Sequence, residues 1–313
     1  MFYNVENYYD SLNDTLTNDD EFAYSGVRGW NTKRLYEKTE RIVKVILAAG
    51  KWNPPVFVGL CEVENRKVLE FLTKSNTLAR FNYKIIQKDS PDERGIDVAM
   101  IYRRDIFRPL DYQTIQLKDP TNPSFKTRDI LKVSGVLNGT DTLHVFVNHW
   151  PSRYGGVMET LRCRKLASEA LLAAIGTIRE KSPQAKIICT GDFNDTPTDE
   201  SMLALIQSKD PATLNSGGPL VNLAESWLSD KIQTIKSQYT WEVFDQWIVS
   251  NSFLKSANGY RFMKAEIMQS SFLLEPDIKF GGLKPKRTYV GYHYQDGFSD
   301  HLPVLLRIQL LKP

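Results

Sequence analysis

Hydrophobic residues in this chain fall in short runs that stop abruptly at polar ones. The segments "PVFVGLCE" (55–62), "IDVAMIY" (96–102), "LHVFVNHW" (143–150), "KIICTGD" (186–192), "FDQWIVS" (244–250) and "LPVLLRIQL" (302–310) have the length of β-strands. Several are nearly continuous rather than alternating, the pattern of strands covered on both faces. "MFYNVENYYD" at the start also reads as a strand. Elsewhere the period lengthens. Leu35, Thr39, Ile42, Ile46 and Ala49 recur at helical spacing, with Asn31 placed to cap the start and Gly50 the end. A second stripe, from Cys163 through Leu166, Ala167, Ala170, Leu171, Ala174 and Ile175 to Ile178, predicts a helix from about 159 to 181 that packs on a sheet. Strands interleaved with amphipathic helices predict a layered α/β or α+β domain. "SKDPATLNSGGPLVN" (208–222) is the best linker candidate, but strands occur on both sides of it. It therefore reads as a surface loop within one domain over residues 1–313.

The polar residues gather at the strand ends. Glu62 closes one run, His149 another, Asp192 and Asn194 a third, and Asp300-His301 opens the last. Taken singly, each has an ordinary explanation: a helix cap for "GDFND", a surface ion pair for Glu62, a half-buried histidine for His149. Four strand ends that each present acid, amide or imidazole make a poor solvent surface and a natural site. In extended chain Asp192 and Asn194 face one way and Phe193 faces the core. Oxygen donors with imidazole nearby suit a hard divalent cation, Mg²⁺ or in its place Mn²⁺ or Ca²⁺.

Composition narrows the choice of partner only a little. With 313 residues and 42% hydrophobic content the chain can bury a large core. Forty Lys and Arg against 37 Asp and Glu lack the dense positive field of a dedicated nucleic-acid binder. Cys61, Cys163 and Cys189 are scattered, without metal-knuckle or disulfide spacing, and read as small apolar residues. No apolar run reaches membrane-spanning length. Opening directly on a strand points to a trimmed leader and export, whereas three unpaired cysteines fit the cytoplasm.

Six segments, in order, resemble the endonuclease/exonuclease/phosphatase superfamily: "FYNVEN", "GLCEVEN", "NHWPSR", "GDFND", "FDQWIVS" and "FSDHLPV". The resemblance implies a deoxyribonuclease I-like fold, a four-layered α/β sandwich of two packed mixed β-sheets flanked by helices. It places Asn4, Glu62, His149, Asp192, Asn194, Asp245, Asp300 and His301 at the active site. It also implies a phosphoesterase, and leaves DNA, RNA, sphingomyelin, phosphoinositides and small phosphate esters open as substrates.

Within that frame Glu62 is the principal metal ligand, supported by Asn4 or Asp300. Asn194 orients water or phosphate beside Asp192. His301, oriented by Asp245, is base or phosphate-polarising group, with Asp192 the alternative base. His149 donates to phosphate or leaving group, with Asp97 as its carboxylate partner. Arg94, Arg128 and Arg153 are candidates for phosphate contact, because guanidinium matches phosphate bidentately. Trp150 and Tyr154 are candidates for stacking on a base or sugar, and Trp30 for the core. The expected reaction is metal-dependent hydrolysis of phosphodiester bonds, with nucleic acid the leading substrate. Lipid or small-ester hydrolysis is the first alternative, and a binding module without catalysis the last.

Overall fold

A computed structural model describes residues 1–206 and 218–311. Most of the 208–222 segment expected to form a surface loop lies outside the described residues.

One six-stranded sheet has the order β13-β18-β1-β2-β4-β3: β1 is Phe2–Tyr8, β2 Phe57–Val63, β3 Tyr83–Gln87, β4 Asp97–Arg103, β13 Gly259–Ile267 and β18 Val304–Leu311. The other has the order β5-β6-β7-β8-β12-β9: β5 is Phe107–Ile115, β6 Ile130–Leu137, β7 Asp141–His149, β8 Lys186–Asp192, β9 Leu220–Asn222 and β12 Asp245–Ser250. Small hairpins pair β10 (Ile235–Ser237) with β11 (Thr240–Glu242), β14 (Leu274–Pro276) with β15 (Leu283–Pro285), and β16 (Tyr289–Val290) with β17 (His293–Tyr294).

The two sheets share a buried apolar seam. Phe2, Cys61, Val98, Met100 and Val304 come from the first sheet, Leu131, Val133, Val145, Val147, Ile188, Trp247 and Val249 from the second. Helix α1 (Thr32–Ala49) and the shorter α2 (Arg66–Thr73) cover the outer face of the first sheet. Helix α3 (Val157–Lys181) and α4 (Glu200–Ile206) cover the second. The strand runs read as nearly continuous because each sheet has one face in the seam and the other under helices. The ends of α1 are as the sequence predicts: Asn31 accepts a hydrogen bond from the Arg34 amide at 3.1 Å. At Gly50 any Cβ would fall 1.9 Å from the Asn53 carbonyl oxygen.

Each sheet holds one parallel pair. β1 and β2 are joined through α1, and β7 and β8 through α3. Parallel neighbours present their carboxyl ends at the same edge, so Glu62 comes beside β1, and His149 lies opposite Asp192 in register. Antiparallel β12 adds Asp245 opposite Asp192, and His301 leads into β18, antiparallel to β1. The polar strand ends therefore meet at one edge of the sandwich.

Candidate active site

Asp192 is the centre of the arrangement. Its Oδ1 accepts the Asn194 amide at 3.0 Å and its Oδ2 accepts Asn4 Nδ2 at 3.0 Å. The same Oδ2 lies 3.8 Å from His149 Nε2 and 3.7 Å from His301 Nε2. His301 Nδ1 is 2.7 Å from Asp245 Oδ2, a buried carboxylate that fixes the ring. Two of these hydrogen bonds, Asn4 to Asp192 and His301 to Asp245, cross from one sheet to the other.

The two imidazoles stand in opposite electrical states. Burial, then the positive charges of Arg128 and Arg94, hold His149 well below the usual imidazole range, so it is neutral. Burial also opposes charge on His301, but Asp245 and then Asp192 outweigh it and hold that ring well above the usual range. Burial pushes the Asp192 carboxyl up to about 6, against the charge of His301, which pulls it down.

Backbone irregularities aim the acids. The β1–β2 ladder shifts register between Asn4 and Tyr8, and the β2–β4 ladder between Cys61 and Val63. Glu6, Asn7 and Glu62 accordingly have φ of 51°, 57° and 59°, left-handed values rarely taken by residues other than glycine. Glu62 Oε2 accepts the Asn7 amide at 2.9 Å and lies 3.7 Å from Arg94 Nη2. Asn194 is also left-handed, at 52°. The extended alternation expected of Asp192 and Asn194 therefore ends in a turn. Phe193 is buried in the core as expected, edge-on to Trp150.

Three expectations need correction. Asp97 does not partner His149: its carboxylate accepts Gln87 Nε2, the Ser90 amide and Ser90 Oγ. Among the described residues the buried His149 Nδ1 has no hydrogen-bond partner. Arg153 is not free to grip phosphate. It donates to the Asn194 carbonyl at 2.8 Å, pairs with Asp195, Asp199 and Glu242, and stacks over Phe244. Trp150 is fully buried with its Nε1 on Asn148 Oδ1, so it cannot stack on a substrate, whereas Tyr154 is 93% exposed. Trp30 is in the core as expected. Arg128 is held by Asp92 and the Trp150 carbonyl, with its Nε unpartnered among the described residues. Arg94 reaches Asn7 Oδ1 at 2.6 Å beside Glu62.

The sequence reading missed a second cluster. Glu6 is buried, and Arg287 spans Glu6 and Asp300. Lys38, buried on the apolar face of α1, donates from Nζ to Thr288 Oγ1 and the Phe298 carbonyl. Ser299 Oγ ties the approach to His301 to the Asn4 carbonyl at 2.7 Å. The available signals were an acid two residues beyond Asn4 and a lysine inside the Leu35–Thr39–Ile42 stripe.

A helix-flanked pair of mixed sheets with acids, amides and imidazoles gathered at one edge of the seam is the deoxyribonuclease I-like phosphoesterase fold. A model of the endonuclease/exonuclease/phosphatase family matches residues 1–310, and the chain belongs to that family. Among solved structures, humanized D. rerio TDP2 is 17% identical, covering 89% of this chain and 94% of its own, with a TM-score of 0.56. The human Nocturnin catalytic domain with bound sulfate is 18% identical, covering 88% and 87%, at 0.57. A mannosyl-6-phosphatase of Bacteroides thetaiotaomicron is 15% identical and covers 99% and 98%, also at 0.57. At these identities the likeness is one of fold. A search of curated protein sequences finds no match.

Proposed function

We propose that this protein is a divalent-metal-dependent phosphoesterase that hydrolyses phosphodiester bonds, with nucleic acid the leading substrate. The observation that carries this reading is the position of Asp192 Oδ2, within 3.8 Å of both imidazoles on the edge where Glu62 also sits, one residue before the end of its strand.

The donor set fits a hard cation. Glu62 and the Asn4 amide oxygen would hold the ion, with Asp300 in support, all of them oxygen donors without sulfur. Among the described residues no three His, Cys, Asp or Glu side chains form a ready cage. Mg²⁺ requires none, since it commonly takes one or two carboxylates and completes its shell with water and phosphate. When bound, the ion would polarise a phosphoryl oxygen.

The residues divide the remaining work. Asp192, oriented by Asn4 and Asn194, accepts the proton of the attacking water. His301, held charged against Asp245, stabilises the negative phosphoryl oxygens. Neutral His149 donates from Nε2 toward phosphate or leaving oxygen, and Arg94 and Arg128 add positive field. One relative, a D. rerio TDP2, has been solved with a single-strand DNA product. That supports nucleic acid as the first substrate to try.

One observation favours a second reading, hydrolysis of compact phosphate esters. Along the turn that carries Arg94 lies a basin of about 400 Å³ whose lining includes Asp10, Asp14, Glu64, Asp89, Asp92 and Lys126. Asp10 pairs with Lys67 and Asp92 with Arg128, but the acids still outnumber the cations, which disfavours a long polyanion more than a short ester.

Full-length protein should be assayed with Mg²⁺ and Mn²⁺, with and without EDTA. Substrates should include supercoiled DNA, RNA, bis-p-nitrophenyl phosphate, p-nitrophenyl phosphate and sugar phosphates. Diester cleavage abolished by EDTA supports the proposal, and cleavage of monoesters alone supports the second reading. Inactivity on every ester sinks both.

A further inference from the structure

Two of the small hairpins lean on each other. Lys236 of β10 donates from Nζ to Asp277 Oδ2 at 2.8 Å and to the Gly281 carbonyl at 2.6 Å, both in the turn between β14 and β15. Tyr239, at the tip of the β10–β11 hairpin, meets the Phe280 ring edge-on with centroids 5.0 Å apart. Asp277 also shapes its own turn, where Oδ1 accepts the Lys279 amide at 3.2 Å and the Phe280 amide at 3.0 Å. The two tips form one fixed projection, and surface that is already fixed pays little ordering entropy when it docks.

What the projection offers is apolar. Tyr239 is 73% exposed and Ile278 93%, and Leu283 at the start of β15 is exposed as well. Each acid on the two hairpins has a cation: Glu242 pairs with Arg153, Glu275 with Lys284 and Asp277 with Lys236. Lys279 has no carboxylate partner among the described residues and stands over the Phe280 ring at 4.9 Å. The tips are therefore apolar with one positive charge to spare.

Shape and charge select the occupant. A stable protein partner takes roughly 20–30 residues a side, many more than two turns supply. A nucleic-acid base needs an open ring face, and the Phe280 ring already has Lys279 over it and Tyr239 at its edge. An exposed aliphatic side chain in a turn, with an aromatic ring and a lysine beside it, matches the boundary between acyl chains and anionic headgroups. Both hairpins are rooted at the site: Ile235 of β10 bridges His301, and β15 runs on through Lys286 to Arg287, which pairs with Asp300. Strands of three residues span only about 10 Å.

We propose that the joined tips, Ile278 and Tyr239 with Lys279, dock the protein on an anionic lipid surface and hold the active site close to it. The docking depends neither on metal nor on which ester is cleaved.

The test is sedimentation of the full chain, in EDTA, with vesicles of phosphatidylcholine alone and of phosphatidylcholine and phosphatidylserine in equal parts. Wild type should sediment with the mixed vesicles and less with phosphatidylcholine alone. Ile278→Ser should weaken binding to the mixed vesicles about tenfold or more, and Lys279→Gln about fivefold. Leu16→Ser removes a side chain that is 90% exposed on a different loop and should change nothing. Unchanged melting temperatures would show that all three variants fold. Wild type that stays in the supernatant overturns the proposal, and so do equal losses in Leu16→Ser and Ile278→Ser. Binding of a single-stranded oligonucleotide that Tyr239→Ala abolishes, without binding to vesicles, overturns it in favour of a base-stacking platform.

Discussion

Asp192 is held by Asn4 and the Asn194 amide, His301 by Asp245, and His149 by burial, so single substitutions should remove the proposed function without removing the fold. His149→Ala, Asp192→Asn and His301→Ala are each expected to lower kcat by about 10²–10⁴-fold. Circular dichroism and melting temperature should stay near wild type; a variant that keeps nearly full turnover refutes the role given to that residue. Asp97 offers a pH test away from this chemistry. Burial pushes its carboxyl up to about 7 against the hydrogen bonds from Ser90 and Gln87. In the unfolded chain an aspartate ionises near ~3.9. The stability it contributes is therefore full below about pH 4, declines as pH rises toward 7, and levels off above that. Chemical denaturation of wild type and Asp97→Asn should show wild type losing ground to the variant from pH 4 to 7, and a constant difference would contradict the assignment. Residues that end a strand, such as Glu62, His149 and Asp192, are legible in the sequence because an apolar run frames them. Arg153, Asp97 and Arg287 are not, because a charged side chain does not reveal which distant partner it will meet. Lys38 and Thr288, for example, are 250 positions apart.

At the level of elements, the strands that carry the site were readable from their apolar runs, and so were α1 and α3. Edge strands and hairpins were not. β5 is exposed or half-buried at every residue after Phe107, and the hairpins are two or three residues a side, so neither gives a run to recognise. The turn after β8 illustrates how elements lock together. Arg153, on the loop after β7, ties the Asn194 carbonyl to Glu242 on β11 and to Asp195. Because Asp195 keeps Arg164 at 2.8 Å, Arg153→Ala should cost about 1–3 kcal/mol rather than the full penalty for orphaning a buried acid. Urea unfolding would measure this, and kcat should fall with it as the Asn194 turn loosens. Gly191 tests the β7–β8 contact. A Cβ there would sit 2.3 Å from the Asn148 carbonyl oxygen and 2.6 Å from Asn148 Cβ. Gly191→Ala should force the strands apart beside His149 and Asp192 at a cost of about 1–3 kcal/mol, with turnover reduced more than stability alone explains. Wild-type kcat in that variant would show that the strand spacing is not critical.

The molecule as a whole is held by the seam between its sheets. Trp247, whose bulk within "FDQWIVS" stands out in the sequence, is fully buried there, while the next residue, Ile248, packs under the helices of the other face. Trp247→Ala should cost about 3–5 kcal/mol through the cavity it leaves, read as a lower midpoint in denaturant. A loss under about 1 kcal/mol would mean that the seam repacks freely. The seam also has a bearing on catalysis. Asn4, Glu62, Asp300 and His301 belong to one sheet or its entry, and His149, Asp192 and Asp245 to the other. At this edge the Asn4–Asp192 and His301–Asp245 hydrogen bonds span the gap. Packed sheets stand about 10 Å apart, a spacing set by the apolar side chains between them. The apolar filling thus acts as a gauge block: its thickness sets how far the residues proposed to hold the ion stand from those proposed to handle the proton. Loops at the rim can be exchanged to suit a new leaving group without touching that setting, while a methylene added deep in the seam would detune the chemistry from below.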